Sequence, residues 1–183
     1  MQHETIRAII RASLVASRKD NRLHLENILI TTREGMVRIV ACDDCSLVDL
    51  RIDDQELANA IGDRRYLAAP AAVTFLKTHV KQGAVNSEVT NECIMLDYPG
   101  SHLKIYAETS EFRFADIEGL IPEKTGDTSV SLDAEKLLRL VKAMQRDNKT
   151  MACRISFTDP QKALVVKCSS GFTGVLMPIR WRV

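Results

Sequence analysis

The feature that most constrains this chain is a repeat. Three times, from Gln2, Pro70 and Asp133, an amphipathic helical stretch is followed by a run of short apolar segments, at a spacing of about 65 residues. A helix with an antiparallel sheet leaves one sheet face to be covered, and pairing such units covers it. The expected class is therefore α+β, built of three helix-plus-sheet units, two in residues 1–122 and one in residues 123–183.

Each helical stretch carries apolar residues at spacings of three and four, the signature of one buried face. The first uses Ile6, Ile9, Ile10, Ser13 or Leu14, and Ala16. The second uses Ala72, Phe75, Leu76 and His79 or Val80, and opens on Pro70, whose missing N–H costs nothing in a first turn. Ala134, Leu137, Leu138 and Val141 form the third. Strands are expected at Leu25–Thr32 and Met36–Asp43, a hairpin about Arg33-Glu34-Gly35, and at Ser46–Ile52. Others follow at Glu88–Tyr98 and Ser101–Thr109 around the Pro99-Gly100 turn, at Phe112–Ile117, and at Thr150–Thr158, Lys162–Cys168 and Thr173–Trp181. Residues 53–65 read as a polar connector or short helical turn, and residues 122–128 as the clearest linker.

The net charge of +1 conceals a segregation. The helical stretches hold Arg7, Arg11, Arg18, Lys19, Lys77, Lys81, Lys136, Arg139, Lys142 and Arg146 against only Glu4, Asp133 and Glu135, which leaves the remaining chain acidic. Basic helices on an acidic body attract a polyanion locally while the molecule as a whole stays near neutral. The competing reading is that these cations are ordinary solvated helix faces.

Other chemistries find little support. No segment approaches the ~20 apolar residues of a membrane span, and Met1-Gln2-His3-Glu4 lacks a signal-peptide layout, so a cytoplasmic location is expected. Five cysteines suit reduced thiols better than a disulfide framework. Cys42-x-x-Cys45 invites a metal or thiol reading, yet Cys93, Cys153 and Cys168 are isolated, and so are the four histidines. Asp43 and Asp44 beside the pair would raise its thiol pKa. Lys124-Thr125-Gly126-Asp127-Thr128-Ser129 has the ingredients of a phosphate loop without its order. Asp43-Asp44 and Asp53-Asp54 read as solvated acids, since neighbours on a strand point to opposite faces. No catalytic residue, metal or cofactor is expected.

Three stretches, in compatible order, resemble the bacterial DNA sliding clamp, the β subunit of the replicative polymerase. Leu25-Glu26-Asn27-Ile28-Leu29-Ile30 with Val37 to Leu47 is similar to that family's strand pair ending in an Ala-Thr-Asp-Gly-His-Arg-Leu turn, here with Ala41, Asp43 and Leu47 kept and Asp44, Cys45 and Ser46 in place of Gly-His-Arg. Phe114-Ala115-Asp116-Ile117-Glu118-Gly119-Leu120-Ile121-Pro122 resembles a Phe-Pro-Asp-Tyr segment leading to Ile-Pro. Val175-Leu176-Met177-Pro178-Ile179-Arg180-Trp181 resembles the Val-Met-Pro-Met-Arg-Leu terminus.

The resemblance implies a clamp fold in which twelve helix-plus-sheet units close a ring around duplex DNA. Three units would match one complete two-unit domain and an extra half, and four chains would supply twelve, so a homotetrameric ring is expected. The implied DNA-facing residues are Arg7, Arg11, Arg18, Lys77, Lys81, Lys136, Arg139, Lys142 and Arg146. A hydrophobic groove bordered by Leu47, Met177, Pro178, Ile179 and Arg180 would take a short peptide motif from a polymerase, another DNA enzyme or a clamp loader. The rivals are a clamp-fold regulatory or interaction module that forms no ring, and a metal or thiol protein centred on Cys42 and Cys45.

Overall fold

The computed structural model describes residues 1–16, 23–43, 46–82, 85–114, 129–144, 152–157, 159, 161–168 and 173–179. Its contacts divide the chain into two units, Met1–Leu120 and Ile121–Val183.

Unit 1 contains the helices α1 (His3–Ala12), α2 (Leu23–Glu26), α3 (Gln55–Ile61) and α4 (Pro70–His79), the last continued by a 3₁₀ turn at Val80–Gln82. Its strands are β1 (Ile28–Arg33), β2 (Met36–Cys42), β3 (Leu47–Ile52), β4 (Tyr66–Ala68), β5 (Asn86–Val89), β6 (Cys93–Tyr98) and β7 (Ser101–Ala107). They form one antiparallel sheet in the order β3-β2-β1-β4-β7-β6-β5.

Both expected turns form for local reasons. Arg33 pairs with Met36, and the two residues between them, Glu34 and Gly35, have φ of 55° and 75°. Two positive-φ residues joining antiparallel strands match the strands' own right-handed twist. At the β6–β7 turn, Tyr98 pairs with Ser101, and Gly100 has φ 78° behind Pro99, the residue order of a type II turn.

Strand β4 was not anticipated, and it decides the architecture. Residues 53–65, expected as a connector or turn, contain α3 and lead into β4, which bonds to β1 on one side and to β7 on the other. The two halves of unit 1 are thereby joined edge to edge in a continuous sheet, and the covering of the sheet face falls to the helices. α1, α3 and α4 contribute Ile6, Ile9, Leu57, Ile61, Val73 and Leu76 to the main core, against Ile28, Ile30, Ile39, Tyr66, Ile94 and Ile105 of the strands. Each such large side chain adds about 1.5–3 kcal/mol when fully buried. Of the alternatives Ser13 and Leu14 for the buried stripe, Ser13 is half-buried and Leu14 exposed, because α1 ends at Ala12. The single strand expected over Glu88–Tyr98 is two strands, split by a turn in which Thr90 N–H donates to the Cys93 carbonyl (2.9 Å).

Asp54 differs most from its sequence reading as a solvated acid. It is 1% exposed, accepts hydrogen bonds from Gln2 N (2.9 Å), Thr5 Oγ1 (2.8 Å) and Leu57 N (3.3 Å), and so caps α3 while fastening the start of α1.

Unit 2 comprises α5 (Ala134–Met144) and β8 (Cys153–Ser156), β9 (Leu164–Cys168) and β10 (Thr173–Leu176), antiparallel in the order β10-β9-β8. Asp133 caps α5 by accepting from Glu135 N (3.0 Å) and Lys136 N (3.1 Å), which with Lys136 holds its carboxyl below the usual range. The fully buried third helix face expected from the sequence is absent: Ala134 and Leu138 are exposed, and Leu137 and Val141 half-buried. The small sheet buries Leu164, Val166 and Leu176. The strand expected at Phe112–Ile117 is irregular at its described end, while the linker 122–128, most of the Phe114–Pro122 motif and Trp181 lie outside the described residues.

Candidate functional site

The sequence directs attention to two surfaces, one basic and one apolar. In unit 1, α1 and α4 pack against each other on the same sheet face, because their apolar stripes share the main core. Their outward arcs carry Arg7, Arg11 and Lys77, and the 3₁₀ turn adds Lys81. All four are exposed, and none makes an ion pair with a carboxylate among the described residues. Arg7 and Arg11 stand one helical turn apart, as do Lys77 and Lys81, so each pair presents two cations along one face. A cleft of about 400 Å³ opens beside the α4 start, lined by Ser13, Glu26, Pro70, Thr74 and Lys77 among others.

The cations of α5 are in a different electrostatic state. Arg139 Nη2 lies 3.0 Å from Glu135 Oε1, and Lys136 Nζ lies 3.8 Å from Asp133 Oδ2. Lys142 is exposed and forms no such pair with a described carboxylate. Two of the three described candidate cations in unit 2 thus already face a carboxylate on their own helix. Arg18 and Arg146 lie outside the described residues.

The apolar surface begins on the other face of the large sheet. Leu29, Val40, Cys42 and Leu67 alternate with the main-core residues along their strands and gather with Leu25 and Phe114 into a second buried cluster, against which half-buried Leu47 packs. Phe114 is anchored through its N–H, which donates to Glu108 Oε1 (2.5 Å). The other carboxyl oxygen of Glu108 lies 2.9 Å from Arg65 Nε, close enough for an ion pair although the N–H is not aimed for a hydrogen bond. A second cleft, of about 570 Å³, is lined by Arg65, Glu108, Thr109, Ser110, Arg113 and Phe114. Sequence reasoning found Leu47 but not its companions. The signal was present in Ile28-Leu29-Ile30 and Val37–Cys42, which are apolar on consecutive residues where a strand with one wet face would alternate.

The remaining groove candidates belong to unit 2. Past the end of β10, Met177 is 62% and Ile179 44% exposed, with Pro178 half-buried between them. This segment is tied down by Ile179 N–H donating to the Ser131 carbonyl (2.9 Å). Arg180 lies outside the described residues.

The alternative centre at Cys42 has the wrong electrostatics for a reactive thiol. Burial in the second cluster, reinforced by the charge of Asp43, pushes its thiol pKa up, whereas nucleophilic or metal-binding cysteines need the thiolate favoured. Asp43 acts as a turn former, its Oδ1 accepting from Ser46 N (2.6 Å) and Ser46 Oγ (2.8 Å). Among the described residues no group of three or more His, Cys, Asp or Glu side chains could hold a metal ion. Cys45 lies outside them. No described helix is long and apolar enough to cross a membrane.

At the level of sequence, no family model and no curated protein matches this chain. The fold, in contrast, matches bacterial DNA polymerase III β sliding clamps. The β subunit from Pseudomonas aeruginosa superposes with a TM-score of 0.76 at 17% identity, over 97% of this chain and 50% of the clamp. The C. crescentus β sliding clamp gives 0.76 at 17% identity, over 97% and 49%. The sliding clamp of Bacillus subtilis gives 0.72 at 12% identity, over 97% and 48%. The α+β fold is therefore clamp-like, and the chain spans about half the length of the clamps it matches.

Proposed function

We propose that this chain is a shortened clamp-type protein that associates with duplex DNA through basic helices and tethers a DNA enzyme there, in the cytoplasm, without catalysis of its own. The observation that carries the reading is the packing of α1 beside α4 with Arg7, Arg11, Lys77 and Lys81 exposed and not ion-paired among the described residues. Long cationic side chains on adjacent helices attract the phosphate backbone without reading bases, which permits movement along the duplex. Arg18, Lys136, Arg139, Lys142 and Arg146 are the further phosphate contacts of this reading. Retention on DNA then comes from topology. The helix and three strands that recur as α1 with β1–β3, α4 with β5–β7 and α5 with β8–β10 supply three units per chain, so a homotetramer would close a ring of twelve.

In the same reading, Leu47 of the second apolar cluster, together with Met177, Pro178, Ile179 and Arg180, takes a short motif from a polymerase, another DNA enzyme or a clamp loader. Met suits such a surface because its unbranched side chain repacks around different ligands.

The test is absolute mass by light scattering across a dilution series. A species near four times the 20.5 kDa chain mass that survives dilution supports a self-closed ring. Retention on circular but not linear duplex then establishes encirclement. A mass of one or two chains removes the ring and leaves the clamp-fold interaction module, a reading favoured by the carboxylates that already face Lys136 and Arg139.

A further inference from the structure

Cys153 opens β8 and Cys168 closes β9, and the antiparallel register sets the two directly opposite each other. Along the sequence they are isolated; strand pairing brings them together. Opposed residues of an antiparallel ladder have Cα atoms about 4.5 or 5.5 Å apart, according to whether their backbone groups bond to each other. Both spacings lie inside the ~4.4–6.8 Å range that a disulfide spans, so the strand spacing permits the bond. Cys153 is exposed, in contrast to buried Cys42.

We propose that Cys153 and Cys168 are a redox-modified pair that closes an intramolecular disulfide on reaction with a low-molecular-weight disulfide. The Cys153 thiolate attacks one sulfur of the small disulfide, forming a mixed disulfide and expelling one small thiolate. The Cys168 thiolate then attacks the Cys153 sulfur, forming the cross-strand bond and expelling the second. Two protein thiols lose two electrons, the small disulfide gains them, and the two cysteine protons end on the released thiols. The proposal stands on the strand register and does not depend on the DNA-tethering reading.

The bond would matter because few of the described side chains of unit 2 are buried. Its described buried side chains come down to Leu164, Val166 and Leu176, and β9 is the central strand that also carries β10. Cys153 and Cys168 form the pair farthest from the β8–β9 connection, so their disulfide fastens the open end of the hairpin. Closing a loop of about 16 residues restricts the unfolded chain enough to slow amide exchange through unfolding of this unit by about a hundredfold.

The experiment treats the full chain with oxidised glutathione, blocks remaining thiols, digests without reductant and identifies linked peptides by mass spectrometry. The expected result is a Cys153–Cys168 link within one chain, lost in both Cys153→Ser and Cys168→Ser. It should be accompanied by about a hundredfold slower amide exchange in β8 and β9, reversed by dithiothreitol, with β1–β7 unchanged. Cys153→Ser, at an exposed position, keeps the test valid if Cys168→Ser fails to fold. A lasting glutathione adduct on Cys153, a link to any other cysteine, or a link between chains would overturn the proposal.

Discussion

Replacing Arg7, Arg11, Lys77 and Lys81 together with Ala removes four candidate cations of unit 1 that face no described carboxylate. If each neutralises one phosphate, each contributes about 0.9 to the slope of log K against log salt, so the variant should lose up to about 3.6 from that slope. Between about 50 and 200 mM salt this corresponds to a difference of up to about 150-fold in how far affinity falls. Lys136→Ala with Arg139→Ala provides the internal contrast. Those cations already lie 3.8 Å and 3.0 Å from Asp133 and Glu135, so the pair should change the slope by less than Arg7→Ala with Arg11→Ala. The assay is fluorescence anisotropy on a labelled duplex at several salt concentrations. Circular dichroism should show the fold intact, since exposed substitutions change stability by only about 0.5 kcal/mol or less. An unchanged slope in the unit 1 variant, or equal losses from the two pairs, would refute the assignment of DNA contact to the uncompensated cations.

Two further outcomes follow from buried polar groups. Asp54→Ala removes the α3 cap, worth about 1 kcal/mol, and strands the Thr5 hydroxyl and Gln2 N–H, at about 1–3 kcal/mol for each group left unpaired. A total of about 3–7 kcal/mol is expected by urea denaturation, and a loss below about 1 kcal/mol would mean that the buried carboxylate is not the fastening point. Burial raises the pKa of the Cys42 thiol and of the Tyr66 and Tyr98 phenols, so all three stabilise unit 1 only while protonated. Their contribution is complete below the unfolded values, about 8.5 for the thiol and 10 for the phenols, and is lost as pH rises through the folded ones. Melting temperature should therefore fall steeply on the alkaline side. Tyr98→Phe should flatten that fall without loss of stability at neutral pH, because the Tyr98 hydroxyl is buried with no hydrogen-bond partner among the described residues. A variant that melts lower at neutral pH would place an ordered partner on that hydroxyl.

The helices were legible in the sequence because their determinants are local. Pro70 at a first turn and apolar spacings of three and four place α1, α4 and α5 close to where they are found. Gly35 and Gly100 likewise mark turns by a conformational requirement that reads directly from residue type. What escaped notice depends on partners distant in sequence. Tyr66-Leu67-Ala68 is too short for its periodicity to register, and it is a strand only because β1 and β7 offer it free edges. Leu29, Val40 and Cys42 become a second apolar face only when the sheet exists and Phe114 returns to cover them. Asp54 looks like any surface acid until α1 brings Gln2 and Thr5 to it.

The sequence by itself determined the α+β class, the threefold recurrence, the positions of α1, α4 and α5 and the concentration of positive charge on helical stretches, because each follows from the spacing of apolar, basic and turn residues along the chain. Tertiary structure alone decided that the halves of unit 1 join edge to edge, that Asp54 is buried against Gln2 and Thr5, and that Cys153 stands opposite Cys168. The division has a physical reason. Propensity and amphipathicity act over a few residues, whereas burial and strand register depend on distances that exist only once the chain has folded.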